Sequence, residues 1–218
     1  MNQTSLSLEQ ISTALTEAAN PSDLYDTLAK YESPALFLST TNDKESEILS
    51  VFYSTFFFSH LLTDQTYEAR AMTQRMPQDL AQKDPSLQNC LTLLRVVWQQ
   101  NHEQVYRILR NLPWPESLKS VVQSYDTYFQ EKTLKEVSHA YEAIKPAAAA
   151  GYMGLDQSAA EKGDPAVLQI FTACGWTWDE QAGLLYPKPA EEAPQQDDGK
   201  LYHDVSQILA MLGKGGSR

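Results

Sequence analysis

The stretch Asp164-Pro-Ala-Val-Leu-Gln-Ile-Phe-Thr-Ala-Cys-Gly-Trp-Thr-Trp-Asp-Glu-Gln-Ala-Gly-Leu-Leu-Tyr-Pro187 decides the fold. Asp164 followed by Pro165 is an N-cap and first-turn pair, and Gly175 suits the left-handed residue that closes a helix, so the spacing predicts one compact helix between them. Trp176 and Trp178 then alternate with polar residues, residues 179–183 supply turn chemistry, and Leu184-Leu185-Tyr186 ends at Pro187. That is the pattern of a β-hairpin. Upstream, an amphipathic segment with Leu134, Val137, Tyr141 and Ile144 leads through Lys145-Pro146 into an Ala-rich segment reaching Gly154, with a loop read at residues 157–163. Three short helices followed by a hairpin is the order of a winged helix, assigned to residues 131–187.

Toward the N-terminus the texture is helical throughout. Apolar residues recur at three- and four-residue steps with breakers between them, and strand-like alternation is nearly missing. Leu8, Ile11, Leu15 and Ala18 form a first stripe closed at Asn20-Pro21; Ser22 is expected to cap a second helix bearing Leu24, Leu28 and Tyr31. These lie in an N-terminal segment, residues 1–45. In residues 48–62 the consecutive Phe56, Phe57 and Phe58 leave no polar face, which predicts a helix buried on most sides. Asp64 is expected to cap the helix that ends at Met76-Pro77.

Residues 61–77 overlay residues 97–113 at a shift of 36, pairing Leu61 with Val97, Met72 with Ile108, Met76 with Leu112 and Pro77 with Pro113. The shift is near the period of tetratricopeptide-like helix-turn-helix repeats, so residues 46–130 read as a small helical-repeat array. Two further amphipathic segments are expected after Pro115, the first with Leu118, Val121, Val122, Tyr125 and Phe129. Residues 188–199, carrying Pro189, Pro194, Glu191, Glu192, Asp197 and Asp198, read as an acidic linker. A last helix is expected at residues 200–212, where Leu201, Val205, Ile208 and Leu212, widened by Leu209, have the spacing of a seam between helices. The expected class is therefore mainly α: a helical-repeat array, a winged helix with its hairpin, a linker and a terminal helix.

Composition narrows the function. The chain has 218 residues and a formal net charge of −11, with the acidity in the two ends and a near-neutral middle. With no concentrated basic stripe, nucleic acid is an unfavoured partner, because nonspecific affinity comes from counterions released at Lys/Arg clusters. The helix after Asp164 offers only Gln169 to base edges, so DNA reading by the winged helix is the weaker alternative. No run approaches the roughly 18 to 20 apolar residues of a membrane span, and the first residues lack a basic and apolar leader pattern.

Chemistry is equally sparse. His60, His102, His139 and His203 are never within a helical turn of one another and spell no HxH or HExxH, so no metal-ligating residues are nominated. Cys90 and Cys174 sit in apolar stripes and are read as reduced core thiols, in keeping with a reducing compartment. Gly213-Lys-Gly-Gly-Ser lacks the strand-loop-helix setting of a phosphate loop. The four tryptophans, Trp98, Trp114, Trp176 and Trp178, are assigned to packing, with Trp178 the one turned to a partner; residues 164–187 hold no Lys or Arg to support base stacking. No catalytic residue and no cofactor are expected.

Tyr67-Glu-Ala-Arg70, Leu94 and Trp98 with Val105-Tyr-Arg-Ile-Leu109, then Trp114, Val137-Ser-His-Ala-Tyr141, Gly154-Leu155, Gly175-Trp176 and Leu185-Tyr-Pro187 occur in an order that resembles one family. It is the subunit-eight family of the COP9 signalosome, whose PCI-type domain is shared with subunits of the proteasome lid and of translation initiation factor three. The likeness runs from about residue 61 to 187; residues 1–45 and the loop 157–163 depart from it. It implies a non-catalytic scaffold subunit of the complex that removes Nedd8 from cullins, in cytoplasm and nucleus. Its partners would be other subunits carrying the same domain, with the equivalent place in either sister complex as the alternative. The free edge of the hairpin suits strand pairing with a neighbour. Trp178, Leu184 and Tyr186, with Leu201, Val205, Ile208, Leu209 and Leu212, are the expected partner-binding residues, the terminal helix joining a bundle shared among subunits.

Overall fold

The computed structural model of the protein describes residues 6–188; the expected linker beyond Lys188 and the terminal helix with Leu201, Val205, Ile208, Leu209 and Leu212 lie outside them. Twelve helices and one hairpin are described, so the class is mainly α with a small antiparallel sheet near the C-terminal end. In chain order the helices are α1 (Leu8–Glu17), α2 (Pro21–Ala29), α3 (Glu32–Ala35), α4 (Asp43–Leu62), α5 (Thr66–Arg75) and α6 (Gln78–Lys83). They continue with α7 (Pro85–Trp98), α8 (His102–Asn111), α9 (Glu116–Ala140), α10 (Pro146–Met153), α11 (Gln157–Glu161) and α12 (Pro165–Ala173). The hairpin is β1 (Thr177–Asp179) and β2 (Leu184–Tyr186). No helix among the described residues is long and apolar enough to cross a membrane.

Helix α4 is the axis of the array. Successive residues on a helix point about 100° apart, so Phe56, Phe57 and Phe58 are all buried only because the helix is surrounded. Its neighbours are α1, α2, α5, α7 and α9. Phe56 meets Tyr25 of α2, while Phe58 meets Trp114 and Tyr125. The buried hydroxyls of Thr55 and Ser59 donate back to the carbonyls of Val51 and Phe56, which spares the core two unpaired donors.

The shift of 36 residues is visible in the backbone. Asp64 and Gln100, one shift apart, both take left-handed φ values of 59° and 53°. At each, the residue donates to the carbonyl three back and the next residue to the carbonyl five back, which is a Schellman closure. The turns from α4 to α5 and from α7 to α8 are therefore the same turn. Gln65, not Asp64, is the N-cap of α5; the Asp64 carboxylate instead accepts from the Tyr128 hydroxyl at 2.6 Å and from the Lys132 ammonium. Asn20 rather than Ser22 caps α2, because Pro21 already occupies its first turn.

His60 lies at the end of α4, 2% exposed, against the rings of Tyr25 and Phe56. Its Nδ1 bonds Gln65 Oε1 at 3.2 Å and Nε2 has no partner. Burial holds its pKa below the ordinary 6.5, outweighing the upward pull of the Gln65 bond and of Glu68 and Glu32. Below the ordinary value the unfolded chain takes up a proton that the folded chain refuses, so stability falls as pH drops. Denaturant midpoints taken from about pH 7.5 to about pH 5.5 should show this decline, and His60→Phe should flatten it. An equal slope in the variant would assign the decline to other groups.

Helix α9 is one continuous helix of 25 residues, about 37 Å long, where two amphipathic segments were expected. Nothing between Phe129 and Leu134 breaks a helix. What changes there is the face that is buried: Tyr125, Tyr128 and Phe129 belong to the core of the array, and Leu134 and Val137 to a second core. That second core gathers Ile144, Ala149, Met153, Leu168, Phe171, Trp176 and Leu185, the interior of the winged helix. Residues 157–163, read as a loop, contain α11, capped by Asp156, whose Oδ1 accepts from the amides of Ser158 and Ala159. Asp164 caps α12 and Gly175, at φ 86°, closes it, as the sequence predicts.

Candidate interaction surface

The hairpin pairs Thr177 with Tyr186, Trp178 with Leu185 and Asp179 with Leu184. Its turn is held by Asp179, whose Oδ1 accepts from the amides of Gln181 and Ala182. A third segment joins on the far side of β2: the amide of Ile144 donates to the Leu185 carbonyl at 2.8 Å, and the Leu185 amide donates back at 2.9 Å. Leu185 thus spends both backbone groups on Ile144. In an antiparallel pair the hydrogen-bonded and non-hydrogen-bonded positions alternate, so Trp178, opposite Leu185, turns its own N–H and C=O away from β2. Among the described residues one edge of the sheet is occupied, and the open one is β1 at Trp178.

Side-chain direction follows from the same register. Leu185 is fully buried and Trp178 shares its face, half-buried against the winged-helix core. Leu184 and Tyr186 lie on the opposite face, Leu184 half-buried and Tyr186 exposed beside exposed Thr177. The structure therefore brings Leu184 and Tyr186 together on an outward surface. Trp178, expected to turn its ring to a partner, packs it on the core because it shares the face of Leu185, and it reaches the edge only through its backbone.

The other tryptophans differ in their surroundings. Trp176 is buried, stacked 5.2 Å from Phe171, with Nε1 donating to Ser138 Oγ at 3.1 Å. Trp114 is half-buried and donates to the Ile108 carbonyl. Trp98, expected to pack, is 45% exposed, with Tyr67 and Arg70 against its ring. Cys174, expected in the core, is exposed: it is the C-cap of α12, the chain turns away at Gly175, and Trp176 covers Phe171 in its place. Ile170 is exposed too, so the buried line of α12 is Leu168 and Phe171. Cys90 is buried beside Ser54, and burial pushes its thiol above the ordinary range, which disfavours the thiolate.

The array and the winged helix are joined at Gly154, which follows α10 at φ 63°. A Cβ there would sit 2.3 Å from ring atoms of Tyr106, so only glycine allows this backbone to lie on that ring. Arg110 closes the joint: Nε and Nη2 donate to the two Asp126 oxygens at 3.0 and 3.1 Å, and Nη1 donates to the Gly154 carbonyl at 3.2 Å. Its guanidinium lies 4.5 Å from the centre of the Tyr106 ring. Burial pushes the Tyr106 hydroxyl up to about 12. One fork thus ties α8, α9 and the turn after α10. The open edge of β1 belongs to a subdomain seated firmly on the array.

A family model described as the CSN8/PSMD8/EIF3K family matches residues 47–196, spanning the array from α4 onward and the whole winged helix. The chain belongs to this family. A relative from Emericella nidulans, "COP9 signalosome complex subunit 8", is 50% identical over 212 residues, covering 97% of this chain and 98% of the relative. Proteins of the same description from Dictyostelium discoideum and Danio rerio are 21% and 22% identical, covering 68% and 65% of this chain. The family match begins at residue 47 and the fungal likeness includes the N-terminal helices, so α1–α3 are shared with that fungal relative but lie outside the family model. Gly154 and the β1–β2 hairpin lie within the match.

Proposed function

We propose that the protein is a non-catalytic scaffold subunit of the COP9 signalosome, the complex that removes Nedd8 from cullins, and that it acts by protein–protein contact. The near full-length likeness to a fungal signalosome subunit 8 supports the choice of complex. The observation that carries the mode of action is the sheet edge at Trp178, whose N–H and C=O face away from β2 and have no partner among the described residues. Such an edge gains by adding a neighbour's strand, with Leu184 and Tyr186 beside it to set specificity. Residues 200–212, with Leu201, Val205, Ile208, Leu209 and Leu212, would supply a second contact as a helix in a bundle of subunit helices. Other subunits of the same domain type are the partners, nucleic acid and membrane are not, and cytoplasm and nucleus are where the complex would be found.

Affinity purification of the tagged chain from its own cells tests this. The expected result is near-equal amounts of several signalosome subunits. Recovery of proteasome-lid or initiation-factor subunits would move the chain to a sister complex, and recovery of the chain alone would overturn the scaffold reading.

A further inference from the structure

Outside the winged helix, α5 and α7 present an aromatic and basic patch that the hairpin-edge reading leaves unused. Tyr67 is 76% exposed and Trp98 45% exposed, with ring centroids 4.9 Å apart and planes at 80°. That T-shaped contact spends an edge of one ring on a face of the other and leaves the rest of both rings exposed to solvent. The Arg70 guanidinium stands 5.5 Å from the Trp98 ring centre, and exposed Arg95 lies three residues before Trp98 on the same helix face. Among the described residues neither arginine has a carboxylate partner. Glu68, the nearest acid to Arg70 in sequence, is exposed and pulls the His60 pKa upward. In a chain of net charge −11 this is a local surplus of two cations around two exposed rings.

We infer that the patch docks an acidic peptide segment of a partner subunit, one in which a proline or leucine is flanked by Asp or Glu. The exposed ring surface takes the apolar residue, since aromatic rings supply contact area at low entropic cost, and each guanidinium receives a carboxylate through two parallel N–H donors. Arg70 is prepared for this: stacked on Trp98, its planar group is already oriented. Two cations match a short acidic peptide. They do not match a nucleic-acid strand, which needs a longer basic track and is repelled by the rest of this surface. The proposal rests on the reading that the chain works within an assembly.

The experiment places the photo-crosslinker p-benzoylphenylalanine at position 67 of the full chain in its own cells, followed by sequencing of the linked peptide. The expected product is a protein segment with at least two acids within a few residues of the linked position. Its yield should fall roughly tenfold when Arg70→Glu and Arg95→Glu are combined, the loss expected for reversing two interfacial charges. A link to nucleic acid, a link to a segment without acids, an absent link, or a yield indifferent to charge reversal overturns the proposal. Subunits co-purifying from the same cells keep the two readings apart. Their presence without an acidic crosslink, or with a link only to this chain's own acidic residues 188–199, rejects the patch proposal alone, whereas their absence rejects the assembly reading and with it a partner subunit as the occupant.

Discussion

Gly154→Ala should lower the melting temperature of the isolated chain by roughly 5 to 15 °C, the shift that a loss of about 2 to 5 kcal/mol produces in a domain of this size. Two costs add. Alanine at φ 63° sits in the left-handed region, at about 1 to 2 kcal/mol. Its Cβ would also stand 2.3 Å from two atoms of the Tyr106 ring, and relief requires either the ring or the α10–α11 turn to move, at about 1 to 3 kcal/mol. The ring has little room, being buried against Phe129 and roofed by Arg110. Differential scanning calorimetry of Gly154→Ala, Tyr106→Leu and the double variant separates the terms. Smaller leucine should recover part of the loss in the double variant, giving a favourable coupling, whereas strict additivity would show that backbone strain alone is responsible.

Trp178→Pro should lower incorporation of the chain into its complex roughly tenfold, and Trp178→Ala should not. Both variants lose the half-buried indole and should be similarly destabilised as monomers. Only proline removes the backbone N–H, and at this position that N–H faces away from β2, so the ring is tolerated by the hairpin as it is at sheet edges generally. A neighbour's strand paired on β1 would lose a hydrogen bond and leave its own carbonyl unpaired in the interface. That costs about 1 to 3 kcal/mol, or roughly five- to a hundredfold in affinity.

The repeat, the winged helix and its hairpin were readable because they rest on periodicity, capping residues and glycines, all local signals. The left-handed Asp64 and Gln100 were not, since neither residue type announces that conformation; only the shift of 36 residues relates them. The continuity of α9 had a signal that was easily misread. The step from Phe129 to Leu134 breaks the three-and-four rhythm without a breaker residue, because the helix passes from one core to another. Likewise Val167, Ile170, Phe171 and Cys174 make a plausible stripe, but the buried line of α12 is Leu168 and Phe171, so Ile170 is exposed, and the turn at Gly175 exposes Cys174. The inward direction of Trp178 corrects the expectation that it turns to a partner: its spacing of two from Trp176 places both rings on the core face. The open edge does not follow from the sequence, because it depends on Ile144 occupying the far side of β2. Nor does sequence reveal the exposure of Tyr67 and Trp98, which depends on how α5 and α7 meet.

The central claim is that this chain joins its complex through the edge of β1, and a competition measures it directly. Trp178→Ala and Trp178→Pro chains, carrying different tags and present in equal amounts, are allowed to compete for incorporation while their melting temperatures are matched in parallel. The predicted result is a complex containing the alanine chain in roughly tenfold excess, with the two monomers melting within a few degrees of each other. Equal incorporation of the two chains would contradict it.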